Sequence, residues 1–194
     1  MEENTLVVRA KGGDRDAFAL LLTQYEKQVY RHALRMLRHP EDAADAAQEV
    51  FLKVWQGLPG FQGGSAFSTW LYRLTDNVCI DLLRREKKRR GDASLDAEGF
   101  AAANAVSDPA PSPQQSLERR EDRRAVAQAL ERLSEDHRRV LILRELDGLS
   151  YDEIGAILDV PAGTVKSRIA RARMALADFL RKSGNFSAGH PSQQ

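Results

Sequence analysis

The chain has 194 residues, 42% of them hydrophobic and 29% charged, with a formal net charge of +1. That length suits one domain or two small ones, and the balanced total means that no overall basicity points to nucleic acid. A single cysteine, Cys79, excludes an intramolecular disulfide and a cysteine-based zinc cluster, and the four histidines (His32, His39, His137, His190) lack ligand spacing, so no metal or other cofactor is expected. No apolar run reaches the roughly 18 residues that could span a membrane, and residues 1–14 lack a signal-peptide core. A reducing cytoplasm without membrane insertion is expected.

In chain order, residues 5–10 form a short apolar run that Lys11-Gly12-Gly13-Asp14 breaks. Asp14 is placed to cap a helix from Ala17 to about Leu37, whose broad apolar face includes Leu21, Tyr25, Val29 and Ala33. His39-Pro40 breaks the chain again. From Asp42 to about Gln56, Ala43, Ala47, Val50, Phe51 and Val54 share one helix face, while Asp42, Asp45, Glu49 and Gln56 share the other. Leu52 falls on the polar side and Trp55 at its margin. That pattern is either an ordinary solvated face or a protein contact.

Residues 58–64 are a glycine-rich loop carrying Phe61, a ring that either tucks onto the core or meets a ligand. The cost of exposing an aromatic favours tucking. Ser65 to Arg90 then reads as one long helix with Ser65 as its N-cap. Phe67, Trp70, Leu71, Leu74, Val78 and Leu82 make its apolar stripe, and Thr69, Arg73, Asn77, Ile80 and Arg84 make a second one. Residues 84–90 carry six cations (Arg84, Arg85, Lys87, Lys88, Arg89, Arg90) against one Glu86. Such an end suits the helix macrodipole, and it also suits phosphate. Aromatics just upstream favour single strands, because every base offers a face for stacking.

Residues 91–116 carry acidic side chains, three prolines and no helical period, and read as a flexible acidic linker. A helix is expected from Leu117 to Arg132 with Val126, Leu130 and Leu133 inward. Ser134 starts another, with Val140, Leu141, Leu143 and Leu146 as its apolar face and Gly148 as its left-handed stop. Ser150-Tyr151-Asp152-Glu153 is a capping box, and Pro161 opens a final helix with Val165, Ile169, Ala172 and Leu176 inward. Thr164, Lys166, Ser167, Arg168, Ala170, Arg171 and Arg173 lie on or beside its outward face. Two short helices and a basic outward face read as helix-turn-helix, with a plain helical hairpin as the alternative. Residues 183–194 read as a disordered tail.

Asp42-Ala-Ala-Asp45-Ala-Ala-Gln48-Glu49-Val-Phe51 and Phe67-Ser-Thr-Trp70-Leu-Tyr-Arg73, with Asn77 and Asp81, form one motif set. Leu143-Arg144-Glu145-Leu146-Asp147-Gly148-Leu149-Ser150-Tyr151 and Gly163-Thr164-Val165-Lys166-Ser167-Arg168 form another. In both sets, and in their order, the chain resembles bacterial sigma factors of the extracytoplasmic-function group, of the sigma-E and sigma-W kind. The resemblance implies an all-α protein with two small helical domains, region 2 over 5–90 and region 4 over 117–182. It implies a promoter-specificity subunit and no enzyme.

The implied partners are bacterial core RNA polymerase (β′ clamp helices and β flap), promoter DNA and an anti-sigma factor. Asp42, Asp45, Gln48, Glu49 and Leu52 are the implied polymerase contacts. Phe61, Arg73, Asn77, Arg84 and Lys88 are implied to face the melted −10 element, with Phe61 at a pocket for a flipped base. Arg144, Thr164, Lys166, Ser167, Arg168, Ala170 and Arg171 are implied at the −35 duplex, Arg144 near phosphate. Ala44 and Ala46 stand where the family has larger residues, and an effect on polymerase affinity is expected from both. A regulator with a sensor domain would instead bind duplex without polymerase. A nucleic-acid enzyme would need metal-binding partners for Asp42, Asp45 and Glu49.

Overall fold

The computed structural model describes residues 2–90 and 125–182, and every regular element among them is helical. Helices α1 (Glu3–Lys11), α2 (Arg15–Leu37), α3 (Pro40–Gly57) and α4 (Phe67–Arg90) build the first unit. A single turn of 3-10 helix, Leu58–Gly60, leads out of α3.

Asp14 caps α2 as its position predicts. Its carboxylate accepts from the N–H groups of Asp16 and Ala17, each at 3.0 Å. The Ala17 amide, followed by the Arg9 guanidinium at 2.9 Å, holds this carboxyl below its usual pKa. Arg38 ends α2 in the left-handed conformation, its N–H on the Leu34 carbonyl at 2.8 Å, and Pro40 starts α3.

Leu21, Val29, Ala33 and Met36 of α2 are buried, together with Ala43, Ala46, Ala47, Val50 and Val54 of α3 and Leu71, Val78 and Cys79 of α4. Helix α2 packs against α1, α3 and α4, and α3 also packs against α4. Each fully buried aliphatic side chain contributes about 1.5–3 kcal/mol. A surface ion pair contributes about 0–1 kcal/mol. Packing therefore decides this unit. The same core holds His32 and Asp76, with imidazole Nε2 3.7 Å from Asp76 Oδ1 and the Tyr72 ring edge-on to the imidazole at 5.4 Å. The two side chains meet where α2 packs on α4.

Two expectations for α4 change. The helix begins at Phe67, and Ala66 takes the cap position, its carbonyl accepting from Trp70 N–H at 3.1 Å. Ser65 lies one residue outside, its hydroxyl donating to the Ala66 carbonyl at 3.4 Å. The second stripe is also not uniformly open. Thr69 and Ile80 are buried, Arg73 is half-buried, and Asn77 and Arg84 are exposed.

The second unit is built from α5 (described over 125–131), α6 (Glu135–Leu141), the start of α7 (Tyr151–Leu158), and α8 (Ala162–Lys182). Residues 117–124 of the expected first helix lie outside the described residues. Within α5 the deeply buried side chains are Ala125, Ala127 and Ala129, with Leu133 just beyond, while Val126 and Leu130 are half-buried. Ser134 caps α6, accepting from His137 N–H at 3.4 Å. Arg138 closes the preceding helix from outside, donating to the carbonyls of Leu130 at 3.1 Å and Glu131 at 3.0 Å.

Helix α6 packs on α8, with Val140, Leu141, Leu143, Val165, Ile169 and Ala172 buried. Leu146 departs from the expected apolar face and is 43% exposed. The reason is a π-helical turn over Ile142–Leu146, in which Asp147 N–H reaches back five residues to Ile142 at 2.9 Å. The wider turn rotates Leu146 off the buried face. Gly148 then takes φ +76°, as a left-handed stop requires.

Candidate protein and nucleic-acid interfaces

The buried alanines of α3 leave its other side open. Asp42, Asp45, Gln48 and Leu52 are exposed there, and Glu49 is half-buried. Glu49 pairs with Lys53 one turn on at 3.0 Å, and His39 Nδ1 lies 3.9 Å from Asp42. These exposed links contribute little. Leu52 is 62% exposed, a large apolar group projecting from an acidic ridge. Trp55 continues the ridge, its ring 4.8 Å from that of Phe18 on α2. Ala46 is fully buried, so a surface role for it is excluded; Ala44 is half-buried.

The loop after α3 closes an aromatic cluster. Phe61 stacks at a tilt on Trp70, centroids 5.0 Å apart, and meets Phe67 edge-on at 6.1 Å. Phe67 also meets Tyr25 at 5.5 Å. Trp70 fits because Gly57 has no side chain; a Cβ there would stand 3.2 Å from the indole. Phe61 is half-buried, while Gln62, Gly63, Gly64 and Ala66 are exposed. The ring is thus tucked on one side and open on the other. Arg73, Asn77, Arg84 and Lys88 of α4 fall within a sector of about 60° at 3.6 residues per turn. Asn77, Arg84 and Lys88 are exposed, and Arg73 is half-buried.

In the second unit the capping box forms as its spacing predicts. Ser150 N–H and hydroxyl donate to Glu153 at 2.8 and 2.7 Å, and Glu153 N–H returns to the Ser150 hydroxyl at 3.2 Å. The Ser150 hydroxyl, followed by its amide, holds the Glu153 carboxyl below its usual pKa. Asp159 turns the chain with φ +55°, and Pro161 provides the cap carbonyl of α8, accepting from Thr164 at 2.8 Å. Lys166, Ser167, Ala170 and Arg171 are exposed on α8, and Thr164 and Arg168 are half-buried. Ser167 donates back to the Thr164 carbonyl at 2.9 Å.

Arg144 is more committed than its sequence position suggests. It donates to the Leu149 carbonyl at 2.7 Å and lies over the Tyr151 ring at 4.8 Å, so it braces the turn into α7. Two further links escaped the sequence reading. Arg173 donates through Nε to Glu145 at 3.0 Å, and Lys11 Nζ donates to the Phe61 carbonyl at 2.7 Å. Partners 28 and 50 residues apart leave no local signature.

Among the described residues no group of three or more His, Cys, Asp or Glu is arranged to hold a metal ion. No described helix is long and apolar enough to cross a membrane.

Comparison with known proteins agrees with this architecture. The family model for sigma-70 region 2 matches residues 21–89, and that for sigma-70 region 4 matches residues 123–176. The RNA polymerase sigma-H factor of Pseudomonas aeruginosa is 39% identical over 183 residues, covering 93% of this chain and 94% of that protein. The ECF RNA polymerase sigma-E factor of Escherichia coli is 40% identical over 179 residues, covering 91% and 93%. Among solved structures, the sigma factor RpoE in complex with the anti-sigma factor NepR, from Bartonella quintana, is 26% identical with TM-score 0.66, covering 84% of this chain and 96% of that one. CnrH in complex with the cytosolic domain of CnrY is similar in fold, with TM-score 0.67 at 24% identity over 93% and 97% of the two chains. The chain belongs to the sigma-70 family and is a sigma factor of the extracytoplasmic-function type.

Proposed function

We propose that this sigma factor docks core RNA polymerase through the acidic ridge of α3, reads a melted −10 strand at the Phe61 loop and α4, and reads a −35 duplex with α8. The observation that carries the reading is the continuity of one surface. The half-open ring of Phe61 on Trp70 lies beside a helix that presents Asn77, Arg84 and Lys88 outward. Rings supply a stacking platform worth about 1–3 kcal/mol per base. Extruding a base costs a few kcal/mol. One stacked base with its phosphate contacts can therefore offset one extruded base, and no chemistry is required. Arg73, half-buried, supports this face from its edge.

On the polymerase side, Asp42, Asp45, Gln48 and Glu49 give register and charge complementarity, and Leu52 gives an apolar anchor. The β′ clamp helices are the partner this ridge fits, and the β flap is assigned to region 4. On α8, Lys166 and Arg171 are suited to guanine O6 and N7 or to phosphate, and the Ala170 methyl to a thymine methyl. Thr164, Ser167 and Arg168 line the same end, and Arg144 braces the turn with N–H groups left for phosphate. We assign the first module to residues 5–90 and the second to 117–182, in a cytoplasmic protein. Two structural relatives carry partners, one of them named an anti-sigma factor, and an anti-sigma partner is proposed here too.

The test is transcription in vitro with core polymerase on a randomised promoter library, followed by permanganate footprinting of the selected promoter. Enrichment of paired −35 and −10 elements, with reactive thymines at −10, is the expected result. Tight binding to closed duplex without polymerase, and no reactive thymines, would overturn the reading.

A further inference from the structure

The loop 58–66 has little to hold its shape. A Cβ at Gly60, Gly63 or Gly64 would meet nothing within 4 Å, and Gly63 sits at φ +72°. Leu58 is buried at one end and anchors it there. Phe61 N–H closes the 3-10 turn on Leu58 O at 3.1 Å. Beyond that turn, the Phe61 carbonyl accepts from Lys11 Nζ at 2.7 Å, a bond that arrives from α1.

Lys11 is not needed by its own helix. Gly12 N–H already satisfies the Val8 and Arg9 carbonyls at 3.2 and 3.0 Å, and Arg9 is taken by Asp14 at 2.7 Å. Helix α1 itself is fixed, with Leu6, Val7 and Ala10 buried and the Tyr25 hydroxyl donating to Glu3. It packs on the 3-10 turn as well as on α2. The ammonium is thus carried on a seated support and holds one carbonyl. The direction of that carbonyl is ψ of Phe61, at 114°, which sets the course of Gln62–Gly64, and the carbonyl carbon is bonded to the Cα that carries the ring, so anchoring it restrains the point from which the ring reaches Trp70.

We propose that Lys11 is a positioning residue for strand recognition: its ammonium locks the Phe61 peptide so that the ring is held ready on Trp70. This rests on the reading of the loop as the −10 surface. The test uses Lys11→Met, which keeps the stem, and Lys11→Arg, which keeps a donor. The first arm uses the full chain alone, in a Trp55→Phe background so that Trp70 is the only tryptophan. Acrylamide quenching of Trp70 should rise in Lys11→Met and stay at the parental value in Lys11→Arg; unchanged quenching in Lys11→Met overturns the proposal.

The second arm uses holoenzyme and a fluorescein-labelled single strand of the −10 region selected from the promoter library. Lys11→Met should bind it roughly fivefold more weakly, the size of one net hydrogen bond, and Lys11→Arg should recover most of that. The slope of log K against log salt should not change. A slope smaller by about 0.7 would make Lys11 a phosphate contact, and positioning would be wrong. If wild-type holoenzyme has no preference for the single strand, the reading of the loop fails and the proposal with it. The quenching arm still shows whether the tie exists, so the two failures are told apart. Core-polymerase affinity, measured in parallel, should match wild type for both variants.

Discussion

The Phe61 loop and helix α8, the two surfaces proposed to meet nucleic acid, are built on opposite principles. The loop offers rings at the edge of an open, glycine-rich backbone, held by a buried Leu58, a stack on Trp70 and one bond from Lys11. Helix α8 offers polar side chains on a rigid rod whose other face, Val165, Ile169 and Ala172, is buried. The difference suits the proposed targets. An unstacked base has a face that any ring can meet, and a loop can adjust around it. A duplex presents donors and acceptors at fixed spacing, so its reader must be held by a packed core.

The comparison can be broken most severely at that core. Ile169→Ala should cost about 2–5 kcal/mol of stability, because it opens a cavity beneath the outward face. Urea denaturation measures it, and a loss below about 1 kcal/mol would mean that α8 does not depend on its packing. The two surfaces can then be separated. Phe61→Ala should weaken binding of the −10 single strand by about 1–3 kcal/mol. It should leave −35 duplex binding unchanged. Arg171→Ala should do the reverse, costing about 1–3 kcal/mol at one base position. A uniform loss across −35 sequences would make Arg171 a phosphate contact. Titration with both probes decides, and equal losses on both probes for either variant would remove the distinction.

The smallest effect is with pH. The folded pKa of Glu153 lies below the ordinary carboxylate value, through its bonds to Ser150. Its contribution is therefore complete above the unfolded pKa and is lost as pH falls through the folded value. Replacing Glu153 with Gln should flatten the acid side of the urea midpoint measured from pH 6 to pH 3, by no more than about a few tenths of a kcal/mol, because solvent screens this exposed carboxylate. An unaltered acid limb would mean that the capping box does not persist in solution.

Much of the second unit was legible because its signals are local. Ser134, Ser150 with Glu153, Gly148 and Pro161 act within a few residues of themselves, and each stands at a helix boundary. Leu146 leaves the face its spacing assigns it because a 3.6-residue period cannot anticipate a π turn. In the first unit, apolar spacing located α2 and α3. It did not reveal that Ala46 lies in the core, since alanine is at home on either side of a helix. The Lys11–Phe61 bond and the His32–Asp76 pair depend on which helices meet, and that is tertiary information. Ser is a favoured cap type, which points to Ser65, yet the backbone turns one residue later.

Cys79 is the sole thiol of the chain and is fully sealed in the α4 core. Burial, reinforced by the neighbouring Asp76 charge, pushes its pKa well above the ordinary thiol range. Oxidants and electrophiles attack the thiolate, a species this environment suppresses and shields. Disulfide stress in the cell would therefore leave the thiol of the folded chain unmarked, and any thiol-borne alarm must reach it through another molecule.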